Sequence, residues 1–332
     1  MTDKECVLAA DIGGTHARFV CAPVNGDVDE AIDPVVLRCE GYEDADTLLT
    51  EAFAKVAGGC KVEAAALAVA GPVGDEEIPM VNLPWVLRRD ACASLLGTAR
   101  CTLINDFEAI AHFVATTSSQ DLEPVGGGRA RVGATRVVLG PGTGLGVAAV
   151  SYSADGTSPR VISGEGGNVG FAPGDALEDA LCMALRGREG RAYAEQLLSG
   201  NGLRRLYGWV RAGVLDDIDS LPSAEHIVSR GIDGETDALA AIDRLLGYLG
   251  ACAGDLALSF GARGGVILTG GLIDALTWRL AASPFRSRFE DKGRHEAYVS
   301  QIPTARLAPS YPGLRGALAR ARALLRDRGA AR

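Results

Sequence analysis

Val7-Leu8-Ala9-Ala10-Asp11-Ile12-Gly13-Gly14-Thr15-His16-Ala17-Arg18 runs an apolar segment into a carboxylate, then into two glycines and a hydroxyl. Val7 to Asp11 predicts a strand and Arg18 to Ala22 its partner, with Ile12 to Ala17 as the turn. Backbone amides exposed in such a turn form a nest for an anion. An aspartate beside that nest repels phosphate unless a divalent cation stands between them. The pair therefore points to a Mg²⁺-nucleotide, with Asp11 holding the metal directly or through water. The same residues also make a good hairpin turn, so this stretch alone leaves both readings open.

A second cycle begins at Arg136. Val137 to Gly140 predicts a strand, Pro141 to Gly144 a turn, and Leu145 to Tyr152 the returning strand. The likeness of the two hairpins suggests an internal duplication. Ala64 to Ala70, Cys101 to Ile104 and Val266 to Thr269 are further apolar strand segments. Helical spacing marks Phe107 to Thr116, Ala176 to Leu185, Ala192 to Leu198, Asp237 to Leu258 and Gly313 to Arg328, with Gly200 and Gly202 expected to stop the third. Strands alternating with helices give an α/β chain with mostly parallel sheet. At 332 residues the chain exceeds what one core usually serves. The polar, glycine-rich stretch 117–131 is the expected lobe boundary. It separates a small lobe (1–116, with a C-terminal helix at 308–330 packing back on it) from a large lobe (117–307).

Acidic residues outnumber basic ones, 42 to 33, which disfavours nucleic acid and anionic membrane surfaces as partners. Only four lysines occur, Lys4, Lys55, Lys61 and Lys292, and none follows a glycine, so a Walker A loop is absent, as is G-x-G-x-x-G. An anionic ligand must then be held by backbone amides or a metal. The eight cysteines form no C-x-x-C, which suggests neither a zinc site nor a disulfide framework. The opening Met-Thr-Asp-Lys-Glu does not read as a secretory leader, and no run of about 20 apolar residues appears. A cytoplasmic location is expected.

Four further groups carry candidate chemistry. Gly140-Pro141-Gly142-Thr143-Gly144-Leu145-Gly146 is a second amide-rich turn. Two such turns could grip a triphosphate without lysine. Asn105-Asp106 closes a strand and opens a helix, so Asp106 is either an N-cap or a general base for an alcohol. Glu165, in Gly164-Glu165-Gly166-Gly167-Asn168, is either a hydroxyl acceptor or a solvated loop charge. Glu195 by itself reads as a surface residue.

The motifs Asp11–Thr15 with Ala17-Arg18, Ile104-Asn105-Asp106-Phe107, Gly142-Thr143-Gly144-Leu145-Gly146-Val147, Gly164-Glu165-Gly166-Gly167 with Phe171-Ala172-Pro173, and Glu195 with Leu198-Ser199-Gly200 resemble the bacterial glucokinase family, in that family's order. Gly264-Gly265-Val266, Gly270-Gly271 and Phe289 to Arg294 add to the likeness, which covers Asp11 to about Gly316. The resemblance implies a two-lobed, actin-like ATPase (ribonuclease-H-like, duplicated) sugar kinase fold with an interlobe cleft that closes to exclude water, and a homodimer. It implies ATP-dependent phosphorylation of D-glucose to glucose 6-phosphate with Asp106 as base. The implied nucleotide contacts are Ala10, Asp11, Ile12, Gly13, Gly14, Thr15, Gly142, Thr143, Gly144, Gly270 and Gly271, with ATP and Mg²⁺ as cofactors. The implied sugar contacts are Asn105, Asp106, Glu165, Asn168 and Glu195. Asn168 and Gly170 stand where the family usually has histidine and aspartate. That leaves two alternatives: a kinase for another hexose or hexosamine, or a non-catalytic sugar sensor.

Overall fold

The computed structural model describes residues 5–26, 32–72, 76–81, 83–153, 155–215 and 217–326; Lys4 and the end of the C-terminal helical reading (327–330) lie outside them. The chain divides into two compact units. One comprises Met1–Ser119, Val161–Ser163 and Pro309–Arg332, the other Gln120–Arg160 and Gly164–Ala308.

In the first unit the strands are β1 (Glu5–Ile12), β2 (His16–Pro23), β3 (Val35–Arg38), β4 (Lys61–Val69), β5 (Glu77–Pro79), β6 (Val86–Arg88) and β7 (Cys101–Asn105). The main sheet has the order β3-β2-β1-β4-β7, and β5 and β6 form a separate ribbon. β1 runs antiparallel to β2 and parallel to β4, which runs parallel to β7. The nearly unbroken apolar reading of β1 and β4 follows, because a parallel sheet is covered on both faces. Cys6, Leu8, Ala10 and Ile12 point into a core with Leu48, Leu49 and Phe53 of α1 (Ala45–Ala57). Val7 and Ala9 point the other way, into a core with Leu314, Ala317 and Leu318 of the C-terminal helix Pro312–Arg326. On that face β4 contributes only Ala64, Ala66 and Ala68. These small residues let the helix ride close, so a Cβ on Gly316 would overlap the carbonyl of Ala109. α2 (Arg89–Leu96) leads to β7, and α3 (Asp106–Val114) follows it directly.

The second sheet is made of β8 (Leu122–Gly126), β9 (Arg136–Pro141), β10 (Leu145–Tyr152), β11 (Pro159–Gly164), β12 (Gly265–Leu268) and β13 (Thr304–Leu307), in the order β11-β10-β9-β12-β13-β8, and all of it except Val161–Ser163 of β11 belongs to the second unit. β9 is antiparallel to β10 and parallel to β12, which is parallel to β13. Apart from the edge strand β8, this is the strand order of the first unit, and β10-β9, β9-β12 and β12-β13 repeat the directions of β2-β1, β1-β4 and β4-β7. The helices of the second unit include α4 (Ala176–Glu189), α5 (Gly200–Ala212), α6 (Ala224–Ile232) and α7 (Thr236–Phe260).

Two expectations need correction. Ala192 to Leu198 is not a helix: only the 3₁₀ turn Ala194–Gln196 forms, where Gln196 Oε1 accepts from Tyr193 N at 2.8 Å. Gly200 and Gly202 do not stop a helix but open α5. Ser199 is its N-cap, with Oγ accepting from Gly202 N at 3.0 Å. A capping serine outweighs the poor helix propensity of glycine in a first turn. Gly202 is required there because a Cβ would overlap the carbonyl of Leu197. Among the described residues no helix is long and apolar enough to cross a membrane.

Candidate active site

β1, β4 and β7 end level, since Ile12 lies opposite Val69 and Val69 opposite Asn105. At about 4.8 Å per strand, this sets the Asp11–Thr15 turn roughly 10 Å along the sheet edge from Asn105. The carboxyl ends of parallel strands are where α/β sheets bind ligands. The turn itself is closed by Gly13 N donating to His16 O at 3.0 Å. Cys39, just after β3, holds it from behind: its N donates to Thr15 O at 2.9 Å and its Sγ to Gly13 O at 3.3 Å. With both carbonyls tied, the amides of Gly14 and Thr15 have no partner among the described residues, and Thr15 is exposed. The anion nest is therefore narrower than the motif suggests. Gly13 spends its amide on the hairpin, and Ala10 and Ile12 are buried strand residues whose side chains face the core. Asp11 is half-buried. Burial pushes its carboxyl up from the usual range, and Arg18, its strand partner, partly opposes this. Gly313, at the start of the C-terminal helix, leaves room for it, since a Cβ there would lie 2.9 Å from Asp11 Oδ2.

At the end of β7 the cap of α3 is Asn105, not Asp106. Asn105 Oδ1 accepts from Phe107 N at 2.8 Å and Glu108 N at 3.3 Å. Its Nδ2 donates to Gly71 O at 2.8 Å, which leaves one amide hydrogen. Asp106 is thus the first helical residue, half-buried, with Oδ1 accepting from Phe107 N at 2.8 Å. The N-cap role that the sequence offered to Asp106 is filled by Asn105. Gly71 follows β4 and has no space for a side chain, its Cβ position lying 2.5 Å from Ile78 Cγ2 and from Pro79 O.

In the second unit the Gly142–Gly144 turn is closed by Gly142 N donating to Gly144 O at 2.8 Å. The amides of Thr143 and Gly144 have no partner among the described residues. Glu195 reaches back to this hairpin, its Oε2 accepting from Leu145 N at 2.8 Å. Any side chain at residue 144 would meet that oxygen, 2.5 Å from the Cβ position. The turn Gly166–Asn168 packs on the same hairpin, where Cβ atoms on Gly166 and Gly167 would overlap Val147 and the carbonyl of Leu145. Its exit is held by Ala194 N donating to Val169 O at 3.0 Å. Glu165 and Asn168 are exposed, and neither side chain has a hydrogen-bond partner among the described residues. Gly144, Glu165, Asn168 and Glu195 are therefore gathered around one hairpin. Beside it, Gly270 adopts φ 102° and approaches Pro141 O. Gly142, Thr143, Gly200, Glu225, Gly271 and Leu272 are among the residues lining a groove of about 570 Å³, a size suited to a small ligand.

The glucokinase family model matches residues 8–324. A glucokinase from Paramagnetospirillum magneticum is 37% identical over 318 residues, 94% of this chain and 97% of that protein. The chain belongs to the glucokinase family. Among solved structures, the glucokinase of an Antarctic psychrotroph is 29% identical with a TM-score of 0.82, covering 95% of this chain and 98% of that one. A ROK-family glucokinase from Streptomyces griseus, solved with glucose and AMPPNP, shares the fold at 20% identity and TM-score 0.64, covering 96% of this chain and 99% of that one. The fold is the actin-like ATPase fold of the sugar kinases.

For this glucokinase-family chain, sequence reasoning missed Cys39 and Gly71, which position the site without forming a motif. Cys39 carries no signal, because its two bonds reach 24 and 26 residues back. The Gly71-Pro72 pair ending β4 was such a signal, yet only the fold shows that its carbonyl meets Asn105.

Proposed function

We propose that the chain transfers the terminal phosphoryl group of ATP to the 6-hydroxyl of D-glucose, with Asp106 as the base. The observation that carries the reading is the division of labour at the start of α3: Asn105 caps the helix, and the adjacent carboxylate is held level with the Asp11–Thr15 turn. Phosphoryl transfer demands alignment, charge neutralisation and an acceptor for the alcohol proton. Asp106 Oδ atoms orient the hydroxyl and take its proton as the bond to phosphorus forms. Asn105 keeps one N–H to offer a sugar oxygen.

In the second unit Glu165 and Asn168 accept from and donate to sugar hydroxyls, and Glu195 adds the oxygen not engaged by Leu145. The free amides of Gly14 and Thr15, and separately of Thr143 and Gly144, hold phosphate oxygens, with the nucleoside in the groove beside Gly271. Among the described residues no group of three or more His, Cys, Asp or Glu side chains is placed to hold a metal. Mg²⁺ keeps most of its waters and takes one or two carboxylates plus phosphates, and the Asp11 carboxylate beside the Gly14 and Thr15 amides is a donor of that kind. Asp11 would hold it, directly or through water, and Mg²⁺ bound there would supply charge neutralisation of the triphosphate. The reading includes a homodimer in the cytoplasm.

A coupled ADP-release assay across glucose, mannose, fructose and N-acetylglucosamine tests the proposal. Glucose with ATP is expected to give the highest kcat/KM despite Asn168. A strong preference for a sugar altered at C1 or C2 overturns glucose as the substrate, and no turnover on any sugar overturns the kinase.

A further inference from the structure

All eight cysteines carry free thiols, and the reaction uses none of them as a nucleophile. Two stand apart from the rest. Cys6 on β1 is paired in register with Pro23, and Cys21 on β2 with Leu8, so the two thiols meet diagonally across the hairpin. Their sulfurs lie 3.1 Å apart, about 1 Å more than a disulfide bond. Cys6 is buried, at 3% exposure, and Cys21 is half-exposed. Cys60, at the entry to β4, adds a third thiol that interacts with both. The pair sits at the opposite end of the β1–β2 hairpin from the Asp11–Thr15 turn.

We propose that Cys6 and Cys21 are a modification site, an oxidisable dithiol that a hydroperoxide converts into a reversible intrachain disulfide joining β1 to β2. With hydrogen peroxide, the Cys21 sulfur, reachable from solvent, attacks one peroxide oxygen. An S–O bond forms, the O–O bond breaks, and the departing hydroxide leaves as water with the thiol proton. The Cys6 sulfur then attacks the Cys21 sulfenic acid. The S–S bond forms, the S–O bond breaks, and a second water carries off the Cys6 proton. The two sulfurs give up two electrons and the peroxide accepts them. Burial, with the neighbouring thiols, pushes Cys6 above the ordinary thiol range, and burial does the same to Cys21. Among the described residues, the titratable groups acting on the pair are each other and Cys60. Since the thiolate is the nucleophile, oxidation is slow at neutral pH and quickens as pH rises.

The test is a peroxide titration of the full-length protein, read by free-thiol count and by mapping cross-linked peptides. The count is expected to fall from eight by two, with Cys6 and Cys21 peptides joined, and dithiothreitol is expected to restore it. Cys21→Ser is expected to keep all its remaining thiols under the same treatment. The proposal fails if no thiols are lost, if the joined peptides contain Cys60, Cys92 or Cys101, or if Cys21→Ser still loses a pair.

Discussion

The turn at Asp11–Thr15 and the turn at Gly142–Gly144 occupy the same place in two sheets of the same strand order, yet they are built differently. The first has a carboxylate on its entering strand and is held from behind by Cys39 through both a backbone amide and a thiol. The second has no carboxylate of its own and is held by Glu195, which arrives from a separate 3₁₀ turn. Both leave two amides without a partner among the described residues. The shared part is the hairpin backbone, and the divergent part is the side chain that fixes it. The two sheets thus present a similar hairpin backbone twice, while in the proposed reading acid–base and metal chemistry belongs to the copy that carries Asp11 and Asp106.

If the chemistry resides in the first unit, its removal must outweigh any change in the second. Asp106→Ala is expected to lower kcat by about 10²- to 10⁴-fold, the range for a positioned base, with the fold retained by circular dichroism. Near-normal turnover breaks the comparison.

Glu195 is the counterpart in the second unit. Glu195→Ala removes a charged acceptor from Leu145 N, an interaction of about 1.5–3 kcal/mol. KM for sugar and for ATP should both rise by about tenfold or more, with a smaller fall in kcat. A change confined to the sugar KM would mean that Glu195 does not support the phosphate turn.

Asp11 sharpens the contrast through pH. Its carboxyl is raised by burial, so the native state binds that proton more tightly than the unfolded chain. Between the usual value of 3.8 and the raised one, stability falls as pH rises. Asp11→Asn removes that cost. The variant should match the parent in Tm at low pH, exceed it at neutral pH, and lose its response to Mg²⁺. Equal Tm profiles across the range would show that Asp11 is not strained by burial.

The packing that supports the first unit gives a stability effect. Gly316→Ala sets a methyl against the Ala109 carbonyl of α3 and should cost about 1–3 kcal/mol, as overpacking does, measured by urea unfolding. The smallest effect belongs to Cys39. Cys39→Ala should raise KM for ATP a few-fold, because one neutral hydrogen bond is worth about 1 kcal/mol, while Cys39→Ser keeps a donor for Gly13 O and should restore it.

Much of this molecule was legible as a string of residues. Apolar runs ending in glycine-rich turns predicted β1, β9 and β12 close to their observed limits, because a strand covered on both faces must be apolar throughout and its exit turn must admit close backbone approach. Asp11, Asp106 and the two glycine turns stood out by residue type, but each had a structural reading as well, a hairpin turn or an N-cap, and their site roles came only from the resemblance to the glucokinase family. The contacts between distant segments were not legible. Nothing local to Asn105 says that its amide meets Gly71, nor to Glu195 that it ties down Leu145, nor to Cys39 that it holds two carbonyls of the first turn. Those bonds join residues 24 to 50 positions apart, and local patterning carries no record of them. Which of two adjacent polar residues caps α3 was visible only once the fold was formed, when Asn105 turned its oxygen to the helix amides and its amide to the Gly71 carbonyl on the neighbouring strand's exit.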